Sequence, residues 1–315
     1  MTRYVVRRLI YVVPVLLLVT ILIFSLIHLA PGDPVAAILG EERADPQVVS
    51  LLRERMGLDQ PAPVQYFRWL GHVLTGDLGY SYHLRQQVAQ AIGPRIAVTL
   101  QLALMAVLLS LIVAIPLGIV SAVHRGSWLD LAASSFGALG ASMPAFWLGV
   151  LLILFAAVYL RLLPASGYVR VQEDVLGNLR SMLLPAITLS VGYAAVLSRL
   201  VRASLLDVLR EDFIRTARSK GLAQRVVLLR HALGGALLPI ITVVGMETGR
   251  LLGGAVVTET IFALPGIGRL AVDAVLGRDL PTLQAVTLLM AIMLILSNLL
   301  ADLLYGVADP RISYE

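Results

Sequence analysis

Ionisable and amide side chains that interrupt long apolar segments are the residues of this sequence best placed to do chemistry. Glu247 and Arg250 are three residues apart, so they share one face of a helix and can form an ion pair. Asn298 and Asp302 are four residues apart and can hydrogen-bond to a neighbouring helix. Charged groups at membrane depth usually face the interior of a helix bundle or a watery path. These four residues can therefore either make contacts between helices inside a bundle or line a watery path.

Residue patterns typical of enzymes are missing from the sequence. The five histidines lie in different segments, and there is neither a His-Glu-x-x-His pattern nor a Gly-x-x-x-x-Gly-Lys-[Ser/Thr] loop for nucleotide phosphates. The lack of cysteine excludes disulfides, thiolate metal sites and cysteine nucleophiles. We therefore predict no catalytic residue, no metal site and no cofactor in this chain, and an intramembrane hydrolase is disfavoured. Uphill transport would need energy from a partner or an ion gradient.

The composition indicates which elements position these residues. Of 315 residues, 58% are hydrophobic and 14% are charged, whereas a water-soluble domain carries about 25% charged residues. Such a chain cannot cover a globular surface, so we predict an all-α membrane protein. The basic residues behind the net charge of +5 are interspersed with apolar segments and do not form a polybasic domain, so nucleic acid is not an expected partner.

Six segments are long enough to cross a bilayer, which requires roughly 20 predominantly apolar residues. The first is too long for a signal peptide and lacks a cleavage site, so we expect it to be retained as a helix. In the third, Ser142, Pro144 and Trp147 indicate a kink with an interfacial aromatic residue. The predicted spans are residues 9–30, 96–123, 131–160, 182–203, 232–258 and 282–307.

Basic residues near the ends of the spans predict the orientation of the chain. Three arginines precede the first span. Eight basic residues lie between the fourth and fifth spans: Arg199, Arg202, Arg210, Arg215, Arg218, Lys220, Arg225 and Arg230. Both regions are expected in the cytosol, which places the N and C termini there and residues 31–94 outside.

This topology predicts the organisation of the chain. The external loop is expected to contain short amphipathic helices at residues 48–56 and 64–74. The predicted parts are the N-terminus and first helix (residues 1–30), the extracytoplasmic helical loop (31–94), the membrane core (95–307) with a cytoplasmic loop (204–231) and an outer loop (259–281), and a cytoplasmic tail (308–315).

The cytoplasmic loop carries the most information about function. Apolar residues recur in it at helical spacing, although it is too polar to span a membrane. Gly221 interrupts this pattern, and glycine readily adopts the positive φ of a sharp turn. We therefore predict two short helices joined at a corner, after which the fifth span begins. A positively charged loop on the membrane surface is the simpler alternative.

Residues of this loop resemble the EAA loop of permease subunits of ABC importers. Ala217 is followed four positions later by Gly221 and then by a Leu-Pro pair at 238–239, whereas Arg-Thr at 215–216 stands in place of the leading Glu-Ala. The sequence on either side of the loop is similar to the oligopeptide and dipeptide branch of that family. Three further blocks in the order of that branch are Ala-Pro-Gly-Asp-Pro at 30–34, residues 259–285, and Asp-Leu-Leu-Tyr at 302–305 with Asp-Pro-Arg at 309–311. The resemblance extends over nearly the whole chain.

The resemblance implies a type I ABC importer permease fold with six membrane-spanning helices and cytoplasmic termini, in a bacterial or archaeal plasma membrane. It implies a complex with a second homologous permease, two ATPase subunits that bind ATP and Mg²⁺, and an extracytoplasmic solute-binding protein. Dipeptides or oligopeptides are the implied substrates, although glutathione, nickel chelates and some sugars are carried by the same branch. The rival class is a self-contained, proton-coupled peptide carrier, for which Glu247 and Asp302 are available to bind the ion.

The resemblance also implies that the cytoplasmic loop is a coupling helix seated in a cleft of one ATPase subunit. In that arrangement Phe213, Ala217 and Leu222 fill a groove, while the basic side chains meet acidic rims. The implied coupling residues are Phe213, Arg215, Ala217, Arg218, Lys220, Gly221 and Leu222.

Two other groups of residues take roles from the resemblance. The fifth helix is expected to line the pore, so residues within the spans either lie on the translocation path or contact the second permease: Glu247, Arg250, Asn298 and Asp302. Residues of the outer loop are candidates for docking the binding protein or closing an outer gate: Arg269, Asp273, Arg278 and Asp279. Solvated loop charges are the alternative for the second group.

Overall fold

The structure is a computed structural model that describes residues 2–29, 47, 50, 51, 53, 54 and 58–308. Among these, side chains are described except at residues 2–7, 9, 26–29, 238, 246, 250, 252 and 304–308. The predicted helix at residues 48–56 lies largely outside the described part. The chain is α-helical except for one two-stranded antiparallel hairpin among the described residues.

The elements are numbered in chain order, with two π-helical segments named π1 and π2. They are α1 (Thr2–Leu29), α2 (Ala62–Leu74), β1 (Tyr80–Ser81), β2 (Gln86–Gln87), α3 (Val88–Val123), α4 (Trp128–Ser142), α5 (Ala145–Leu152), π1 (Ile153–Tyr159), α6 (Val175–Val208), α7 (Asp212–Ser219), α8 (Gln224–Val226), π2 (Val227–Ala232), α9 (Leu233–Ile261), α10 (Ile267–Leu276) and α11 (Leu280–Ala308).

Apolar helices occur at all six predicted positions. Three helices, α3, α6 and α11, are each long and apolar enough to cross a membrane. Two bent pairs, α4 with α5 and π1, and the stretch from α8 into α9, meet the same test when each is taken as one span, and α1 contains a shorter apolar stretch. The structure is therefore consistent with the predicted six-span fold. α3 begins before the predicted span because its first turns are buried in a core.

The predicted third span is a broken helix. α4 and the segment formed by α5 and π1 meet at an angle of 104°. The break falls at Met143 and Pro144, both with extended backbone, because a proline disfavours helical geometry in the residue before it. The kink predicted within residues 131–160 from Ser142 and Pro144 is thus confirmed, and at 104° it is a break between two helices.

The chain divides into two compact units, of which the first comprises residues 1–5, 100–264 and 294–315. Its central helix is α6, the most buried of the three long apolar helices, against which α4 and α9 pack. A Cβ atom at Gly118 of α3 would lie 2.6 Å from the Cβ of Val201 in α6. The backbones of α3 and α6 therefore approach at a distance that requires glycine.

The second unit comprises residues 6–99 and 265–293. Its core joins the start of α3 to α10 and α11: Val88, Ala91, Ile92, Ile267, Leu270, Ala285 and Val286. The predicted helix at residues 64–74 is confirmed as α2, and Tyr66 of α2 packs edge-on against Phe24 of α1, with 5.5 Å between ring centroids. The hairpin of β1 and β2, which precedes α3, was not predicted because its strands are only two residues long.

Candidate coupling site

α7 follows α6 through a short turn at residues 209–211. Asp212 in its first turn and Arg218 in its last turn match the helix dipole. Arg215 Nη1 donates to Asp212 Oδ1 at 2.9 Å, and Thr216 Oγ1 donates to the Asp212 carbonyl at 3.0 Å. These local hydrogen bonds stabilise an eight-residue helix. A helix of this length would be only marginally stable in isolation.

One face of α7 is anchored in the core of the first unit. Ile214 is completely buried, and Ala217, three residues later, is nearly so. They belong to one cluster with buried residues of α3, α6, π2 and α9: Ala114, Ala122, Ala194, Leu197, Val201, Leu205, Val227, Ala232, Ala236 and Ile240. α7 is therefore closely packed against the adjoining ends of α6 and α9.

Gly221 forms the predicted corner. Its φ is +73°, in the left-handed region that glycine adopts without strain, and its N–H donates to the Arg218 carbonyl at 2.9 Å. No atom lies within 4 Å of the position a Cβ would take, so the backbone conformation, and not lack of space, favours glycine. The predicted corner and the first short helix are confirmed. The second short helix is not separate, because α8 continues through π2 into α9, which bends by 53° at Pro239.

The opposite face of this region is exposed and basic. We define the coupling surface as its outward-facing members, Phe213, Arg215, Arg218, Lys220 and Leu222. Phe213 is 48% exposed and Leu222 is 40% exposed, so both offer apolar area beside the cations. The end of the Phe213 ring lies 3.6 Å from the Cβ position of Gly235 in α9. Half of that ring therefore packs within the chain and half faces outward.

Ala217 does not belong to this surface. The sequence interpretation grouped it with Phe213 and Leu222 as a groove-filling residue, but it is buried against its own chain. Phe213 and Ala217 are four residues apart, and Ile214 and Ala217 are three apart, so either pair can share a helix face. The sequence does not decide which of these stripes is buried. In the structure Ala217 seats α7 on the core.

The polar residues predicted within the fifth and sixth spans lie on α9 and α11. Glu247 and Asp302 are partly buried and interact with other groups. Asn298 is exposed, and its Oδ1 lies 3.4 Å from the Cβ position of Gly249. The side chain of Arg250 lies outside the described part, so its pairing with Glu247 stays a prediction. An exposed amide on an apolar helix is costly in lipid, which favours water or a second subunit next to Asn298.

Asp279, one of the predicted outer-loop residues, is buried within the second unit. Its Oδ2 accepts hydrogen bonds from Ser81 Oγ at 2.5 Å and from Thr282 Oγ1 at 2.6 Å. This carboxylate therefore ties the hairpin segment to the start of α11, and it is not accessible to a partner in this structure.

The other three outer-loop residues are more accessible than Asp279. Arg269 is partly exposed, and Asp273 is exposed one turn later on α10, with 4.0 Å between Arg269 Nε and Asp273 Oδ2. Arg278 is exposed and has a positive φ of 50° just beyond the end of α10. All three side chains lie within residues 269–278 and are at least partly exposed to solvent.

An ion pair between a buried carboxylate and a partly exposed guanidinium, which was not predicted, lies in the first unit. Arg202 of α6 donates from Nε to Asp130 Oδ1 at 2.8 Å and from Nη2 to Asp130 Oδ2 at 2.9 Å. Ser121 Oγ and the Gly126 N–H also donate to this carboxylate, at 2.5 and 2.9 Å. Asp130 and Arg202 are 72 residues apart, and the sequence contains no signal that links them; Arg202 entered the prediction only as an orientation signal.

An apolar groove of about 450 Å³ lies between α3, α9 and α11. Its lining is Leu111, Ile115, Leu237, Ile240, Ile241, Val244, Gly245, Thr248, Ser297, Leu300 and Ala301. Such a lining suits apolar groups and not an ion. Among the residues that the structure describes, no group of three or more His, Asp or Glu side chains is arranged to hold a metal ion.

The sequence matches two family descriptions that together span almost the whole chain. Residues 114–314 match the binding-protein-dependent transport system inner membrane component, and residues 1–103 match the N-terminal part of the same class of membrane components. The description is of one component of a transport system, not of an enzyme. It therefore favours the importer interpretation over a self-contained carrier.

Several proteins are similar over their full length. A Brucella suis protein described as a peptide transport system permease is 44% identical over 315 residues, with 100% of both chains covered. The dipeptide transport system permease protein DppB of Escherichia coli K12 is 42% identical, again with 100% of both chains covered. DppB of Alkalihalophilus pseudofirmus is 40% identical at the same coverage.

Solved structures confirm the predicted type I ABC importer permease fold. The inward-facing MetNI methionine ABC transporter matches with a TM-score of 0.55 and 20% identity over 67% of this chain and 93% of that chain. An amino acid ABC transporter with histidines matches with a TM-score of 0.53 and 16% identity over 68% and 92% of the two chains. At these identities the likeness concerns the fold alone. From the sequence matches, this chain belongs to the family of inner-membrane permease components of binding-protein-dependent transport systems.

Proposed function

We propose that this chain forms one half of the translocation pathway of an ATP-binding-cassette importer for dipeptides or oligopeptides. The support for the substrate is the similarity to peptide and dipeptide permeases over the full chain. The complex would contain a second homologous permease, two ATPase subunits that bind ATP and Mg²⁺, and an extracytoplasmic solute-binding protein.

The single observation that carries the coupling role is the two-faced character of α7. Ile214 and Ala217 anchor the helix in a core shared with α6 and α9, while the coupling surface faces outward. In the proposed complex Phe213 and Leu222 enter a groove of an ATPase subunit, and the three basic side chains meet acidic rims. Closure of the ATPase subunits then displaces α7, and the anchored ends of α6 and α9 follow.

The remaining predicted residues take subordinate roles in this proposal. We assign Glu247 and Asn298, with Arg250 and Asp302, to the path or to the contact with the second permease. Their polarity within apolar helices supports either role. Arg269, Asp273 and Arg278 are the accessible candidates for binding-protein docking, and their opposite charges suit a polar rim. Asp279 is assigned to holding the outer loop together.

Substitution of Gly221 tests the coupling role, because the site demands a positive φ but leaves space for a side chain. Gly221→Val forces a β-branched residue into the left-handed region, whereas Gly221→Asn is a matched control that tolerates it. In proteoliposomes that contain the whole complex and a labelled dipeptide, we expect Gly221→Val to lower uptake per ATP hydrolysed about tenfold. Gly221→Asn should stay within about twofold of the unaltered protein.

Two results would contradict the proposal. Unaltered uptake and unaltered ATP consumption by an assembled Gly221→Val complex would remove the loop from coupling. Uptake by this chain without ATPase subunits, driven by an imposed proton gradient, would instead support the self-contained carrier.

A further inference from the structure

We propose that the ion pair between Asp130 and Arg202 is a positioning element that fixes α4 to α6, so that motion received at the coupling surface also reaches α4. The inference rests on the proposed function, since it concerns how ATP-driven motion spreads within the permease. It adds α4 to the two helices, α6 and α9, that adjoin α7 directly.

The geometry of the Asp130 carboxylate supports this role. Each of its oxygens accepts two hydrogen bonds: Oδ1 from Ser121 Oγ and Arg202 Nε, and Oδ2 from the Gly126 N–H and Arg202 Nη2. Ser121 lies in the last turn of α3, Gly126 in the turn between α3 and α4, and Arg202 on α6. One carboxylate thus connects three parts of the first unit, and every partner has good hydrogen-bond distances.

The ion pair is also sheltered from water. The Asp130 side chain is 10% exposed and the Arg202 side chain is 30% exposed. The carboxylate is the more sheltered partner, so loss of the guanidinium would leave it with only the hydrogen bonds from Ser121 and Gly126. A bidentate guanidinium–carboxylate contact fixes the relative orientation of the two side chains in addition to the distance between them.

Arg202 is rigidly connected to α7 by packing. Its neighbours on α6, Val201 and Leu205, are buried in the same cluster as Ile214 and Ala217 of α7. A displacement of α7 that moves this end of α6 must therefore also move the guanidinium group. Through the ion pair the displacement reaches the first turn of α4.

The apolar contacts between α4 and α6 include two glycines at close approach. Gly137 and Gly140 of α4 face α6, where Cβ positions would lie 3.1 Å from Arg199 Cγ and 2.9 Å from Ala195 Cβ, respectively. Glycines allow close approach but present no side chain that interlocks with a neighbour. The ion pair adds a directional contact to this close packing, and in the proposal it holds the register of α4 against α6.

The test compares two substitutions that each replace a carboxylate with an amide. Asp130→Asn removes the charge of the pair, and Glu173→Gln does the same to an exposed pair, in which Arg170 Nε and Glu173 Oε1 are 3.9 Å apart. In the reconstituted complex we expect Asp130→Asn to lower dipeptide uptake per ATP hydrolysed by about threefold or more, a typical size for a coupling mutation. Glu173→Gln should leave this ratio unchanged.

A second variant keeps the test informative if Asp130→Asn prevents assembly. Arg202→Lys retains the charge but loses the two-pronged contact, and we expect a smaller fall in the same ratio, about twofold. A normal ratio in an assembled Asp130→Asn complex, or in Arg202→Lys if the former does not assemble, would overturn the inference, even if the complex melts at a lower temperature.

Gly221→Val, measured in parallel, separates the two proposals. If Gly221→Val uncouples the complex and the ion-pair variants do not, only the role of the ion pair fails. If Gly221→Val retains normal coupling, the proposed role of the loop fails whatever the ion-pair variants do, and with it the inference that rests on the loop.

Discussion

α7 and α10 are both short amphipathic helices that follow a long apolar helix, yet their neighbouring charges are used differently. In α7 the ion pair of Asp212 and Arg215 is exposed, and only Ile214 and Ala217 are buried. Beyond α10 the carboxylate of Asp279 is buried and accepts hydrogen bonds from Ser81 and Thr282. A segment that is distant in sequence covers Asp279, whereas nothing in the described part of the chain covers the basic face of α7.

The comparison shows that a charged loop residue is available to a partner only when its own chain leaves it uncovered. Asp212 begins α7, and Asp279 lies between α10 and the start of α11; both are acidic residues directly at a helix start, and the sequence alone does not distinguish their exposure. In the structure Asp212 belongs to an open surface and Asp279 to a closed core.

The largest loss of stability is expected when the buried face of α7, formed by Ile214 and Ala217, is disrupted. Ile214→Ala removes a fully buried side chain from the cluster it shares with α6 and α9, and such truncations cost about 2–5 kcal/mol. Because α7 buries so few residues, we expect amide hydrogen exchange within residues 212–219 of the assembled complex to accelerate markedly. Thr216→Ala, on the exposed side of α7, is the control and should change stability by less than about 0.5 kcal/mol. Equal acceleration in both variants would contradict the two-faced description.

A somewhat smaller effect is expected from Asp279→Ala in the second unit. The substitution removes the acceptor of two buried hydroxyl groups, those of Ser81 and Thr282, at a cost of about 1–3 kcal/mol. We expect the thermal unfolding midpoint of the purified complex to fall. Asp273→Ala, in the exposed pair with Arg269, should cost less than about 1 kcal/mol. A larger fall for Asp273→Ala would show that the buried carboxylate is not the stabilising group.

The smallest effect is expected from Asp212→Asn on α7. Its ion pair with Arg215 is exposed, with 2.9 Å between the two charged atoms, and pairs of this spacing contribute about 0.2–0.5 kcal/mol. We expect a just measurable increase in hydrogen exchange of α7 at low salt that disappears at about 1 M salt, where the Debye length is about 3 Å. An effect as large as that of Ile214→Ala would place Asp212 in the anchor.

The sequence predicted the parts of the molecule that depend on local pattern. Long apolar runs located the membrane helices, Pro144 located the break in the third span, and Gly221 located the corner of the cytoplasmic loop. Each of these follows from the geometry of one residue or one run, so no tertiary information is needed.

The parts that depend on distant contacts were not predictable. Asp130 and Arg202 are 72 residues apart and Ser81 and Asp279 are 198 residues apart, so no spacing rule connects them. Ala217 was misplaced for a related reason, since the choice between two adjacent helix faces depends on what α6 and α9 present to it. Local patterns therefore locate the coupling loop, while the tertiary fold decides which of its residues are free.

The π-helical segment π2 has a consequence for α9. The N–H of Leu233, at its end, bonds to the carbonyl of Leu228, five residues earlier, so the turn holds one residue more than an α-helical turn. One additional residue rotates everything beyond it by about 100° around the helix axis. The direction of the side chains in the first part of α9, before its bend of 53° at Pro239, is therefore set by backbone bonding in Val227–Ala232. A conversion of π2 to ordinary α-helix would rotate the first part of α9 on its axis and swing the part beyond the bend, which carries Glu247.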